Sequence, residues 1–218
     1  GKNDGVAFAN SALDFNDVSF SWNWTLGGAT LNSVVVQVLE QDTQRFQLTP
    51  DTQVLRPSFN SGRSPNLPQG FPRKRYSVND TFFWSTGRHA TKFGMRMAYE
   101  DLDYLADYYG AGVWQFNTDR AFVRADPTTW PTKFTIGSGP QTRNYRNTEW
   151  GFFAQDDLRL GNLTLNLGLR YDFDTNLRSP DMIAELLANP QFAGLENLVT
   201  ADRGNDLNNL QPRLGFAW

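Results

Sequence analysis

The residue types that could carry out catalysis are sparse in this chain. His89 is the only histidine and there is no cysteine, so a cysteine nucleophile, a thiolate metal site and a disulfide framework are excluded. A serine–histidine hydrolase built on strands would need its histidine on a strand near the outer rim of the sheet, whereas we expect His89 to lie in a short turn. We therefore predict that the protein is no enzyme and has no catalytic residue, cofactor or metal site.

Carboxylates come close together at three places, which raises the question of a metal or glycosidase site. The groups are Glu100, Asp101 and Asp103; Asp156 and Asp157; and Asp202 and Asp206 around Gly204. Adjacent residues of a strand point to opposite faces, so Asp156 and Asp157 cannot act as a facing pair. The segment from Asp202 to Asp206 lacks the later glutamate and the spacing of a calcium loop. We interpret all three groups as solvated carboxylates.

The composition argues against several classes of partner. A net charge of −3 gives no reason to expect nucleic acid. The mean hydropathy is −0.52, and the chain lacks any run of about 18 apolar residues, which excludes a transmembrane helix. Strands that cross a membrane remain possible, because they alternate apolar with polar residues and are joined by polar loops.

Three pairs of alternating segments share one layout, in which two apolar strands are joined by a short turn. The pairs are residues 18–25 with 31–42, 75–86 with 91–104, and 147–159 with 163–174, and a seventh strand spans 211–218. The turns occupy residues 26–30, 87–90 and 160–162, whereas the connections between pairs are long, at 43–74, 105–146 and 175–210.

Short turns at one end and long loops at the other are typical of an outer-membrane barrel. The predicted strands are also long enough, since a tilted strand needs about 9–11 residues to cross a membrane. We predict an all-β fold, namely an antiparallel transmembrane β-barrel segment of about seven strands, with short periplasmic turns and long extracellular loops. This places the protein in the outer membrane of a Gram-negative bacterium.

Alternation assigns each strand residue to one of two faces. On the apolar face, tryptophan and tyrosine fall at two levels, as expected for rings at both membrane–water interfaces. These aromatics are Trp22, Trp24 and Trp84 near the short turns, and Tyr99, Trp150 and Tyr171 near the opposite end. Asp80 is a misfit on this face. The other face carries charges that suit a wet or plugged lumen. The candidates for plug or ligand contact are Arg96, Glu100, Glu149, Arg170 and Arg213.

The long loops are rich in turn-forming residues and carry two elements of their own. Residues 112–118 are predicted to extend a hairpin. Ser179 as an N-cap and Pro180 at the first helical position predict a short helix over residues 181–188, which ends at Asn189 and Pro190. Its apolar side, formed by Met182, Ile183, Leu186 and Leu187, is expected to pack on Phe192 and Leu195 of the same loop.

Three segments resemble the barrel of TonB-dependent outer-membrane transporters. Residues 150–172 read WGFFAQDDLRLGNLTLNLGLRYD, residues 208–218 read NNLQPRLGFAW, and residues 86–94 read TGRHATKFG. The style is closest to the Oar-like group, which carries a carboxypeptidase-regulatory-like N-terminal domain. The resemblance covers roughly residues 75–218, and the first hairpin matches only in style.

The resemblance implies energised uptake of a bulky nutrient, such as a siderophore, cobalamin or an oligosaccharide. Its implied partners are outer-membrane lipid, a plug domain, the TonB complex and an unknown nutrient ligand. We expect residues 1–218 to be a partial barrel without plug domain or signal peptide, with the export signal upstream. Two alternatives are a passive or structural barrel that ends at Trp218, and a soluble carbohydrate-binding β domain with Trp114 and Trp130 as stacking platforms.

Overall fold

Long antiparallel strands make up most of the protein. The computed structural model describes residues 9–139, 141–175, 180–190, 193–194 and 206–218. The strands in this part of the chain are β1 (Ala9–Thr25), β2 (Thr30–Gln47), β3 (Gln53–Leu55), β4 (Asn60–Ser61), β5 (Gln69–Gly70), β6 (Arg73–Thr86), β7 (His89–Ala106), β8 (Val113–Phe116), β9 (Pro131–Thr135), β10 (Thr142–Leu160), β11 (Leu163–Asp174) and β12 (Leu210–Ala217). The all-β prediction is confirmed.

The seven predicted strands are β1, β2, β6, β7, β10, β11 and β12, and they lie in one sheet in that order. The two-residue β5 also joins this sheet between β2 and β7. The bounds of β11 are as predicted, but most other strands are longer; β1, for example, begins at Ala9 and β2 continues to Gln47. The backbone hydrogen bonds of a strand need no apolar side chain, so the strands continue past the alternating segments.

The short turns confirm the predicted hairpins. Residues 87–88 and 161–162 are all that separates β6 from β7 and β10 from β11. Gly87 and Gly161 have φ values of +56° and +64°, in the left-handed region where glycine has no steric penalty. The second turn is shorter than expected, because β7 begins at His89. His89 is thus the first residue of a strand and not a turn residue.

The prediction that the first two long connections lack strands of their own, apart from the segment at 112–118, is wrong. They supply a second, four-stranded sheet in the order β4-β3-β8-β9. The segment at 112–118 does form a hairpin, since β8 pairs antiparallel with β9 and places Trp114 opposite Phe134. β3 pairs antiparallel with β4 and parallel with β8. Strands of two to five residues are too short to show alternation in the sequence.

Two short helices complete the described elements. A 3-10 helix spans Pro127–Thr129, and the predicted helix of the third connection is confirmed as α1 (Pro180–Ala188). Ile183 of its apolar side is buried, whereas Ser179, Phe192 and Leu195 lie outside the described residues. Neither helix has the length and hydrophobicity that a membrane crossing requires, within the part of the chain described.

The chain divides into two compact units. The first comprises Gly1–Asn16, Glu40–Arg73 and Leu102–Asn144, and so contains the small sheet. The second comprises Asp17–Leu39, Lys74–Asp101 and Tyr145–Trp218, and contains the short turns together with β11, α1 and β12. All five charged candidates lie in the second unit.

Candidate binding face of the strands

In the second unit, one side of the sheet is apolar and open, and we refer to it as the apolar face. Its large side chains are mostly exposed, including Phe20 at 64%, Leu214 at 81% and Phe216 at 76%. Further members are Val18, Trp22, Phe93, Phe152, Leu167 and Leu169. Such a contiguous apolar surface is unusual for a protein surrounded by water and marks an interaction surface.

The interface aromatics lie on strands as predicted, although their levels in a membrane remain a prediction. Trp22 and Trp24 are near the end of β1 and their rings are 5.5 Å apart. Trp84 lies two residues before the end of β6 and is 45% exposed. Trp150 stacks on Phe152 at 6.1 Å.

The other two predicted interface aromatics lie further along the strands. Tyr99 stacks on Tyr76 at 6.4 Å, and the Tyr171 hydroxyl donates a hydrogen bond to the Leu207 carbonyl at 3.2 Å. Because β7 continues to Ala106 and β10 begins at Thr142, Tyr99 and Trp150 lie well inside their strands and not at the ends.

The opposite side of the sheet, which we name the polar face, is organised around Arg75. Its guanidinium donates to Glu100 at 2.8 Å through one nitrogen and to Glu149 at 2.6 Å through another. The side chain of Glu100 is only 16% exposed and that of Arg75 21%. One arginine thereby binds two of the predicted carboxylates and links β6, β7 and β10.

Arg170 forms a second charged group on this face with Asp172. Its Nε and one terminal nitrogen donate to the two carboxylate oxygens at 2.8 and 2.7 Å, which is the bidentate geometry that favours an arginine–carboxylate pair. Gln211 donates to the same carboxylate at 2.9 Å. Gly151 lies opposite Asp172 in the ladder, and a Cβ there would come within 2.9 Å of Asp172 and 3.1 Å of Arg170. The glycine therefore makes room for the ion pair.

Arg96 and Arg213 differ from the other candidates, because no side-chain hydrogen bond or ion pair of theirs occurs within the described ranges. Both are exposed. Arg96 lines a groove of about 250 Å³ together with Glu149, Arg170 and Asp172. Arg213 lies opposite Gly168 in the ladder, and the missing Cβ of that glycine leaves space beside the arginine.

The sequence did not single out Arg75, Asp172 or Lys92. Period-two alternation places Arg75 on the same face as Ser77, and this signal could have found it. Its partner Glu149, however, lies 74 positions away in the chain, and no signal in the sequence connects the two. Lys92 lies on the same face as Arg96, and no side-chain partner for it is seen in the described segments either.

The misfit Asp80 has a local explanation. The amide nitrogen of Asn32 donates to its carboxylate at 2.8 Å, and Asn32 is buried. A half-buried carboxylate is stabilised by such a bond, so Asp80 joins β2 and β6.

His89 and Asp156, both first considered for catalysis, contact each other between two strands. His89 Nδ1 lies 2.6 Å from Asp156, and the Thr91 hydroxyl donates to the other oxygen of this carboxylate at 3.0 Å. These contacts join the start of β7 to β10. In the described part of the chain, no three His, Asp or Glu side chains come together to hold a metal ion, while Asp202 lies outside it.

The chain matches a known protein family. The model of the outer membrane beta barrel domain matches residues 7–218 of this chain. No curated protein matches it. The matched range includes both faces of the long strands and the four-stranded sheet.

Proposed function

Because the chain belongs to the outer membrane beta barrel domain family, we propose that it forms part of the wall of a TonB-dependent transporter. Family membership implies a place in the outer membrane of Gram-negative bacteria. The proposed activity is energised uptake of a bulky nutrient, of the siderophore, cobalamin or oligosaccharide type. No catalytic step is part of this proposal.

The observation that carries the proposal is the contrast between the two faces of the strands. The apolar face presents exposed side chains such as Phe20 and Leu214, which suit the acyl chains of lipid. The polar face holds the Arg75 and Arg170 ion pairs at distances of 2.6 to 2.8 Å. Charged side chains on a barrel wall are stable where they face a lumen.

The resemblance of residues 150–172 and 208–218 to TonB-dependent barrels supports the finer assignment. It implies that a plug domain and the TonB complex act on this wall and that a nutrient ligand enters the lumen. Arg96, Glu100, Glu149, Arg170 and Arg213 are the residues we propose for contact with plug or ligand.

Uptake measured in whole cells tests this proposal. Cells that carry or lack the gene would be compared for accumulation of labelled ferric siderophores, cobalamin and oligosaccharides, each with and without a protonophore. We expect one nutrient to accumulate only in energised cells with an intact TonB complex. Gene-dependent accumulation that continues without TonB or without energy would contradict the proposal.

A passive barrel is the alternative, and the two grooves beside Arg170 on the polar face, of about 250 and 330 Å³, are the observation in its favour. A passive pore conducts ions through a lumen lined by polar side chains. Steady single-channel conductance of the purified protein in planar bilayers would favour the passive barrel. Absence of conductance would favour the transporter.

A further inference from the structure

On the polar face of the second unit, acidic groups and basic groups differ in whether they have partners within the protein. Four carboxylates have internal partners: Glu100 and Glu149 bind Arg75, Asp172 binds Arg170, and Asp174 accepts a hydrogen bond from Asn147 at 2.8 Å. Three cations, Lys92, Arg96 and Arg213, show no such partner in the described ranges. In the described segments these three side chains therefore keep donor groups that no carboxylate of the protein occupies by a hydrogen bond.

Two of these cations meet in one groove. Lys92 and Arg213 line a groove of about 330 Å³ that also includes Arg170, and no carboxylate lines it. The volume falls within the usual range for small-molecule sites, which is about 300–1,000 Å³. Two carboxylates lie nearby. Asp172, which binds Arg170, is close enough to Arg213 to interact with it electrostatically without a hydrogen bond, and Asp157 is the second. It lines a neighbouring groove with Lys92 and forms no ion pair with it, although one of its oxygens is buried without a partner.

Uncharged residues give the same groove a defined shape. The rings of Phe83 and Phe153 and the side chains of Thr81 and Gln155 line it, so two hydrogen-bonding groups lie among apolar walls. A Cβ at Gly168 would lie 3.4 Å from the Cβ of Arg213, so the glycine keeps this part of the groove open. Arg170 is held in place by its bidentate bond to Asp172, which preorganises one donor group.

We propose that this groove binds a multivalent anion, through phosphate or carboxylate groups that contact Lys92 and Arg213. Guanidinium and ammonium groups without a carboxylate partner are the donors that such anions recognise in proteins. The proposal rests on the proposed function, because it treats the polar face as the wall of a lumen that the nutrient enters, and it names an anion as the class of nutrient.

Equilibrium binding of inorganic pyrophosphate and of citrate tests the proposal. Each probe is titrated calorimetrically into the protein purified from outer membranes in a neutral detergent. We expect one or both probes to bind, and Lys92→Gln and Arg213→Gln each to weaken binding by about 3- to 30-fold. Lys92→Arg, which keeps the charge, should restore most of the affinity. Binding of one probe only would identify phosphate or carboxylate as the recognised group.

Matched controls distinguish binding of the anion in the groove from nonspecific attraction between the anion and positive charge elsewhere on the protein. Lys133→Gln and Arg124→Gln make the same charge changes at exposed positions of the first unit, and these variants should bind as the wild type does. Absence of binding by both probes, or an equal loss in all four glutamine variants, would overturn the proposal. The measurement needs no energised membrane. Loss of binding with TonB-dependent uptake intact would thus reject the anion site alone, and binding without such uptake would reject the transporter alone.

Discussion

Arg75 shows how single residues set the character of the polar face. Each of its two bonds is a charge-assisted contact to a carboxylate on a different strand, so the side chain acts as a cross-link between β6, β7 and β10. Glu100 is mostly buried whereas Glu149 is 41% exposed. The bond to Glu100 therefore contributes more to stability, because water screens the bond to Glu149.

Replacing Arg75 should destabilise the fold mainly through the carboxylates that it leaves behind. In Arg75→Gln, Glu100 and Glu149 lose their cation and repel one another across the sheet. We expect a loss of about 1–3 kcal/mol in the free energy of unfolding, measured by urea titration in lipid vesicles. Lys133→Gln removes one exposed positive charge and should change stability little.

A double variant checks the reason for that loss. Adding Glu100→Gln to Arg75→Gln removes one of the two carboxylates that lost the bond to Arg75, so the second substitution should recover part of the lost stability. If Glu100→Gln instead lowers stability equally in both backgrounds, the two residues are not coupled and the cross-link account is wrong.

At the scale of elements, the sequence predicted what is local and missed what is not. The bounds of β11 and the turn at 161–162 follow from alternation and glycine within a few residues. The bond of Arg75 to Glu149 and the parallel pairing of β3 with β8 join residues about 60 to 74 positions apart in the chain and leave no periodic signal. Alternation therefore assigns Arg75 to a face, whereas its partner on a distant strand is visible only in the structure.

The 3-10 helix of the second connection is capped by a titratable side chain, so the contribution of this cap can be tested by changing the pH. Asp126 caps it by accepting bonds from the Thr128 hydroxyl at 2.5 Å and the Thr128 backbone N–H at 3.0 Å, and Arg120 donates to the same carboxylate. These hydrogen bonds, that from the Thr128 hydroxyl above all, hold the pKa of Asp126 below its ordinary value. The cap is therefore complete above the ordinary value and is lost only as the pH falls through the lowered one.

We expect the fluorescence of Trp130, which follows this helix, to stay constant from pH 7 to about 4 and to change only below that range. The signal is the difference between the wild type and Trp130→Phe. Asp126→Asn keeps a capping oxygen without an ionisable group, so its Trp130 signal should lack this transition. A midpoint above pH 4, or the same transition in Asp126→Asn, would contradict the capping account.

For the whole molecule, the decisive property is that neighbouring residues of one strand face different surroundings. Leu167 belongs to the open apolar face and is 42% exposed, whereas Asn166 lies on the other side between Asp157 and Gly215. A soluble sheet would bury the face that carries Leu167. An outer-membrane sheet exposes it to lipid, which is what membership of the family requires.

Introducing the same charge at two adjacent positions of β11 tests this arrangement most directly. Leu167→Arg should lower the free energy of folding into lipid vesicles by about 2–4 kcal/mol, because the guanidinium would enter the acyl chains near the middle of the membrane. Asn166→Arg introduces the same side chain one position earlier, on the polar face beside the Asp157 carboxylate, and should cost little. Equal losses in the two variants would show that both positions meet the same surroundings, and the assignment of the two faces would then be wrong.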